Sequence, residues 1–116
     1  MAINATGKNY MLDQFKTQIG YLSLHTGYPA AALNEISGGS PAYARKAVTW
    51  ANATNGEIGA SNQPSFDVPA STTVGAVGYW SAITGGTLYG DFDVTDEAFA
   101  NQGTYTVLSA AIDLNK

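Results

Sequence analysis

At Gly20 the spacing of the apolar residues changes, from a helical period of about 3.6 residues before it to a strand period of about 2 after it. Upstream, Met11, Phe15 and Ile19 stand at i, i+4 and i+8 with Leu12 beside them, while Lys8, Asp13, Lys16 and Gln18 occupy other faces. This predicts one amphipathic helix over residues 6–19, with Asn4 or Thr6 capping its free N–H groups and Gly20 closing its last turn. So short a helix is marginal alone. Its Met11/Phe15/Ile19 stripe must therefore dock, either on the chain's own sheet or on a neighbouring subunit.

After Gly20, Leu22 and Leu24 alternate with Tyr21, Ser23 and His25, which reads as a strand running into a Gly27-Tyr28-Pro29 turn. Residues 30–41 are small and turn-rich, a surface loop with a short helix around residues 31–36 and the natural place for local function. Further strands are expected at 43–50, 57–60, 65–68, 73–80, 87–94 and 104–112, spaced about ten residues apart between turn signals. In residues 73–80 both alternating faces are mostly apolar, as in a central strand or in a single-sided one with a partner on its outer face. Leu88, Gly90, Phe92 and Val94 alternate against Tyr89, Asp91 and Asp93, so that strand should have one wet face. Gly85-Gly86 between these two strands supplies the positive φ angles of a hairpin. The fold class implied is mainly β: an antiparallel β-sandwich, or a jelly-roll-like barrel, with one N-terminal α-helix. Residues 1–20 form the helical arm and 21–116 the sandwich of a single domain.

Bulk properties narrow the function. Only 12% of the 116 residues are charged, about half the usual share, whereas small polar residues abound. Such a surface suits contacts between subunits, because few charges must lose water on packing. The net charge of −4 and five scattered basic residues argue against a nucleic-acid partner, which needs clustered cations. Cysteine is absent, so disulfides and thiolate metal sites are excluded. No basic-then-apolar signal segment opens the chain, and no apolar run approaches the roughly 20 residues of a membrane span.

Residues with chemistry are few. His25 is the only histidine, and Ser23 shares its strand face by periodicity. No nucleophile-elbow pattern surrounds either, so a structural histidine bonding a loop carbonyl is expected and no catalytic residue is assigned. Asp91, Asp93, Asp96 and Glu97 could offer oxygen ligands to a cation. A calcium loop begun at Asp91 would want glycine at its sixth position and glutamate at its twelfth, where Asp96 and Gln102 stand. A solvated acidic edge that resists strand pairing fits better, and no metal or cofactor is assigned. Gly38-Gly39-Ser40 and Gly85-Gly86-Thr87 precede neither a helix nor a P-loop lysine and read as turns. The surplus is aromatic, with seven tyrosines and two tryptophans, residue types that give large contact area at low entropy cost. Tyr28, Tyr43 and Tyr89, expected in turns or on polar strand faces, are interface candidates. Tyr89 beside Asp91 would also suit a carbohydrate platform.

One stretch, NEISGGSPAYARKAVTW (34–50), combines a Gly-Gly-Ser-Pro turn with the adjacent Arg45 and Lys46. With SLHTGYP (23–29), FDVPASTTV (66–74), GYWSAITGGT (78–87) and QGTYTV (102–107), it resembles small virion structural proteins of tailed bacteriophages, particularly of actinobacterial hosts. These include head-decoration, minor tail and tail-fibre-like proteins, and the resemblance spans roughly residues 3–112. The pattern departs at Tyr28, where an acidic residue would be expected before the proline. The resemblance implies a non-enzymatic virion protein assembled in the host cytoplasm. The favoured expectation is a capsid decoration or minor capsid protein that stabilises the head by binding the major capsid lattice. The alternative is a minor tail protein or a receptor-binding tail tip. Self-association, as a trimer or other small homo-oligomer, is expected in either case. The expected contact residues are Tyr28, Glu35, Tyr43, Arg45, Lys46 and Tyr89, with Arg45 and Lys46 pairing with acidic partner residues.

Overall fold

A computed structural model describes residues 2–115. The helix α1, Ala5–Phe15, is followed by eight strands: β1 (Tyr21–His25), β2 (Lys46–Ala47), β3 (Glu57–Gly59), β4 (Ser65–Val68), β5 (Thr72–Trp80), β6 (Leu88–Phe99), β7 (Gly103–Thr106) and β8 (Ala111–Asp113). One antiparallel sheet has the order β2-β1-β5-β6, and two ribbons, β3-β8 and β4-β7, stand apart from it. The architecture is thus mainly β with antiparallel sheets and one N-terminal helix, elongated to 48 × 23 × 23 Å.

The main core lies on the sheet face that carries Leu22, Leu24, Val77 and Tyr79. Phe66 and Val68 from β4, with Val107 and Ala110, close over it. Trp50 ties this core to a smaller one, packing against Leu12, Ala53 and Ile58 as well as Tyr79, and its indole N–H donates to the Ile19 carbonyl at 2.8 Å. As its two apolar faces imply, β5 is central, and it is buried from Val74 to Trp80.

The helix is capped by Asn4, whose side chain accepts the Gly7 N–H at 2.9 Å, but it ends four residues earlier than its apolar spacing implies. Bonds of i→i+3 type from Thr17 to Gln14, Gln18 to Phe15 and Ile19 to Lys16 tighten the last turn, and the Thr17 hydroxyl donates to the Gln14 carbonyl. Gly20 has no positive φ and instead enters the sheet, donating to the Trp80 carbonyl. The docking stripe holds at Ile19, fully buried in the main core, and at Phe15, packed against it, but not at Met11. Leu12 is the buried helical residue, seated on Ala53 and Ile58, whereas Met11 is 45% exposed. Polar side chains lock this orientation: Asn9 accepts the Gly56 N–H and Asp13 the Ala53 N–H. These bonds hold α1 against the β3 segment of its own chain.

Two expected strands are broken up by changes of partner. In residues 43–50 only Lys46–Ala47 pairs with β1; Tyr43 bonds back to Gly38, and Trp50 crosses to bridge Ala60. Residues 104–112 divide into β7, paired with β4, and β8, paired with β3. Gly85 and Gly86 do adopt positive φ, 63° and 73°, in the link between β5 and β6.

Candidate functional site

On its second face the sheet carries small and polar residues: Ser23 and His25 from β1 lie opposite Gly78 and Ala76 of β5. Both Ser23 and His25 are fully buried, so each polar atom needs a partner. The Trp80 indole N–H donates to Ser23 Oγ at 2.8 Å, and Ser23 Oγ lies 2.7 Å from His25 Nε2. His25 Nδ1 lies 2.8 Å from Asn34 Oδ1.

The direction of each bond follows from Asn34. Its Nδ2 faces the carbonyls of Gly27 and Pro29, so its Oδ1 is the acceptor, taking the Ala31 N–H as well. His25 Nδ1 must then carry a proton, and in the neutral ring that leaves Nε2 to accept from the Ser23 hydroxyl. The partner that the sequence reading assigned to this histidine, a loop carbonyl, is instead a loop side chain. A Ser–His pair at this distance resembles half of a catalytic triad, but Ser23 is sealed beneath Trp80, and its proton is spent on an internal bond. Gly78 leaves the room for it: a Cβ there would stand 2.5 Å from Ser23 Oγ and 2.9 Å from His25 Nε2.

A second network lies beside the first. Arg45 forms a two-pronged ion pair with Glu35, Nε to Oε2 and Nη2 to Oε1, both at 2.9 Å. Its Nη1 donates to the carbonyls of Ala82 and Gly85, and its guanidinium lies over the Trp80 ring, 3.6 Å from the centroid. The Tyr43 hydroxyl donates to Glu35 Oε2 and accepts the Leu24 N–H, replacing the strand partner that β1 lacks at that point. Burial raises the Glu35 carboxyl, but the bonds from Arg45 and Tyr43 and the Arg45 charge outweigh it, leaving the group below its ordinary value. Burial, against the Leu24 bond and with the Glu35 charge, pushes the Tyr43 phenol far above its ordinary value.

Together these bonds fix two loops, residues 26–37 and 81–87, against the sheet. Asp91 adds a third tie by accepting the Ala30 N–H at 2.8 Å. Between the loops runs a groove of about 370 Å³ lined by Ile36, Tyr43, Arg45 and Ile83 among others. Among polar neighbours the loops present three exposed apolar side chains: Tyr28 is 56% exposed, Ile83 51% and Leu33, on a 3-10 turn at Ala32–Asn34, entirely so.

The six expected contact residues therefore divide. Glu35, Tyr43 and Arg45 are spent inside the chain, Arg45 being 9% exposed, and they hold the loops rather than pointing away from them. Tyr28 stands on the surface of the first loop, Lys46 is half-buried on β2, and Tyr89 is exposed beside Phe15. Tyr89 and Asp91 do not share a face. A bulge opposite Tyr79 and Trp80 sends Leu88 and Asp91 to the Ser23/His25 side, while Tyr89 goes to the other side and meets Phe15 edge-on at 5.6 Å. The carbohydrate platform read from their adjacency is thus not assembled. Asp93, Asp96 and Glu97 are exposed on β6, the sheet's edge strand, and no group of three acidic or histidine ligands suited to a metal occurs among the described residues.

Asn34, Leu33, Gly78 and Trp80 were not singled out by sequence for these roles. An asparagine in the turn-forming loop that follows Gly27 and Pro29 is the one local signal, since such residues commonly bond neighbouring backbone.

A family model described as Podophage GP4 fiber I protein gp80 matches residues 8–114. Neither a curated protein nor a solved structure matches the chain. The family match supports the tail alternative, a virion fibre component, over capsid decoration with the major capsid protein as partner.

Proposed function

The chain belongs to the podophage GP4 fiber I protein gp80 family, and from that premise we propose that it is a packing unit of the tail fibre, acting by contact with other fibre or tail chains. The observation that carries this reading is the match across 8–114, which takes in the complete β framework and both loop-holding networks. The role is structural. Low charge and an exposed set of apolar loop residues favour protein contacts, and buried Ser23 and His25 offer no substrate a nucleophile. Tyr28, Leu33, Ile83 and Tyr89 are the contact residues; Glu35, Tyr43 and Arg45 keep the first three in place.

Purified particles labelled with an antibody to this chain test the assignment. Label on the tail fibres, with a copy number well below that of the major capsid protein, is expected. Label spread over the head at capsid stoichiometry would overturn it.

A further inference from the structure

Two apolar features of this surface have no covering partner among the described residues, and they are of opposite shape. The first protrudes. Leu33 is wholly exposed, and Tyr28 on the same loop is 56% exposed. Isolated exposed leucines are ordinary, but this one is held on a loop pinned by Asn34 to His25, Ala31, Gly27 and Pro29, and by Asp91 to Ala30. A leucine presented this way has already lost its loop's freedom, so docking it costs little further entropy.

The second feature recedes. Between α1 and the chain's end, Met11, Leu12, Phe15, Ile112 and Leu114 line a groove of about 260 Å³ with no polar or charged residue in its wall. A closed apolar cavity of about 150 Å³ accepts a benzene-sized group, so a leucine side chain fits within this space. Met11 and Leu114 stay 45% and 37% exposed at its rim.

The charges around the two features complement each other. Lys8 lies one helical turn from Met11 and Leu12 and, among the described residues, bonds the neutral Asn115 and no carboxylate, whereas Lys16, after Phe15, is already paired with Asp13 at 3.1 Å. On the loop side the neighbours are acidic. Asp91 holds Ala30, Asp96 lies near the Thr26 and Gly27 backbone across Gly75, and Asp93 and Glu97 are exposed on the same strand. None of these four carboxylates has an ion pair among the described residues.

We infer that the Leu33 loop of one copy docks in the Met11–Phe15–Leu114 groove of a second copy, with Lys8 facing the acidic β6 edge. The contact joins two different surfaces, so repetition generates a closed ring or a linear stack and not a self-terminating two-fold dimer. The inference deepens the fibre reading and rests on it for its biological setting.

The test uses the purified full chain, with association followed by light scattering after gel filtration and by sedimentation. The wild type is expected to self-associate with rising concentration. Leu33→Asp and Leu114→Asp each weaken association at least about tenfold, the scale of one hot-spot side chain, with unchanged melting temperatures. Mixing the two variants restores dimers alone, because one intact loop then meets one intact groove. Because the native chain has no cysteine, Leu33→Cys combined with Leu114→Cys should give a ladder of disulfide-linked multimers under mild oxidation. A wild type that stays monomeric at millimolar concentration, association unchanged in Leu33→Asp, or a mixture that fails to re-form dimers overturns the contact. These results leave the particle-labelling test untouched: fibre label with unchanged Leu33→Asp association removes this contact alone, whereas head label removes the fibre setting.

Discussion

The Arg45 guanidinium lies over the Trp80 ring, 3.6 Å from its centroid, while its two prongs hold Glu35. One side chain thereby ties the 26–37 loop, the 81–87 loop and the sheet together.

Replacing Arg45 by lysine should break this arrangement despite keeping the charge. An ammonium cannot reproduce the two-pronged bond to Glu35 and also reach the Ala82 and Gly85 carbonyls. Removing one partner of a largely buried pair costs about 3–5 kcal/mol, and the retained charge should hold Arg45→Lys near the lower end. Denaturant unfolding measures it, and a loss within about 0.5 kcal/mol, the usual range of a surface substitution, would refute the structural role.

Tyr43→Phe keeps the ring stacked on Phe66 but removes the hydroxyl, leaving the Leu24 N–H without its acceptor and Glu35 Oε2 with Arg45 Nε as its remaining donor. The expected cost is about 1–3 kcal/mol. Hydrogen exchange at the Leu24 amide should accelerate more than at Leu22, whose strand pairing with Lys46 is untouched.

Gly78→Ala drives a methyl group into Ser23 Oγ and His25 Nε2. Overpacking of this kind costs about 1–3 kcal/mol. Gly85→Ala meets open space, although at φ 63° it is strained, so its penalty should be the backbone's alone and about 1 kcal/mol. Comparison of the two melting temperatures separates crowding from conformation.

Acid should weaken the loop anchor. Glu35 is held below its ordinary value of 4.5, so its contribution is fully present above that pH and is lost as pH falls through the lower folded value. The melting temperature of the wild type should therefore decline below about pH 4.5. Glu35→Gln should be less stable at neutral pH and should lose less on acidification, which isolates Glu35 from His25 and the other carboxylates. Parallel pH profiles in the two proteins would contradict this.

Leu12 and Met11 adjoin in sequence but differ in exposure, 1% against 45%. Leu12→Ala should cost about 2–5 kcal/mol through the cavity left against Ala53 and Ile58, and Met11→Ala well under half of that. Equal losses would mean that Met11 docks beside Leu12, contrary to its exposure.

Much of the framework was legible because strand periodicity and glycine turns are local properties of the chain. Residues 65–68 form a strand over the expected span, β5 is central as its two apolar faces imply, and Gly85-Gly86 turn the chain with positive φ. The family was legible as well, in the sense of a phage virion protein, although its place on the particle was not.

What the sequence alone determined, then, was the existence of a helix, the strand-rich remainder and the poverty of chemistry in a chain with one histidine and no cysteine. Only the tertiary structure decided where the polar side chains go. Arg45 finds Glu35 ten residues back and two carbonyls of the 81–87 loop, and a bulge in β6 parts Tyr89 from Asp91 although the alternation puts them on one face. Periodicity reports which face of an element is apolar. It carries no information about which distant backbone will offer a buried donor its acceptor, because that pairing is settled only when the whole core closes.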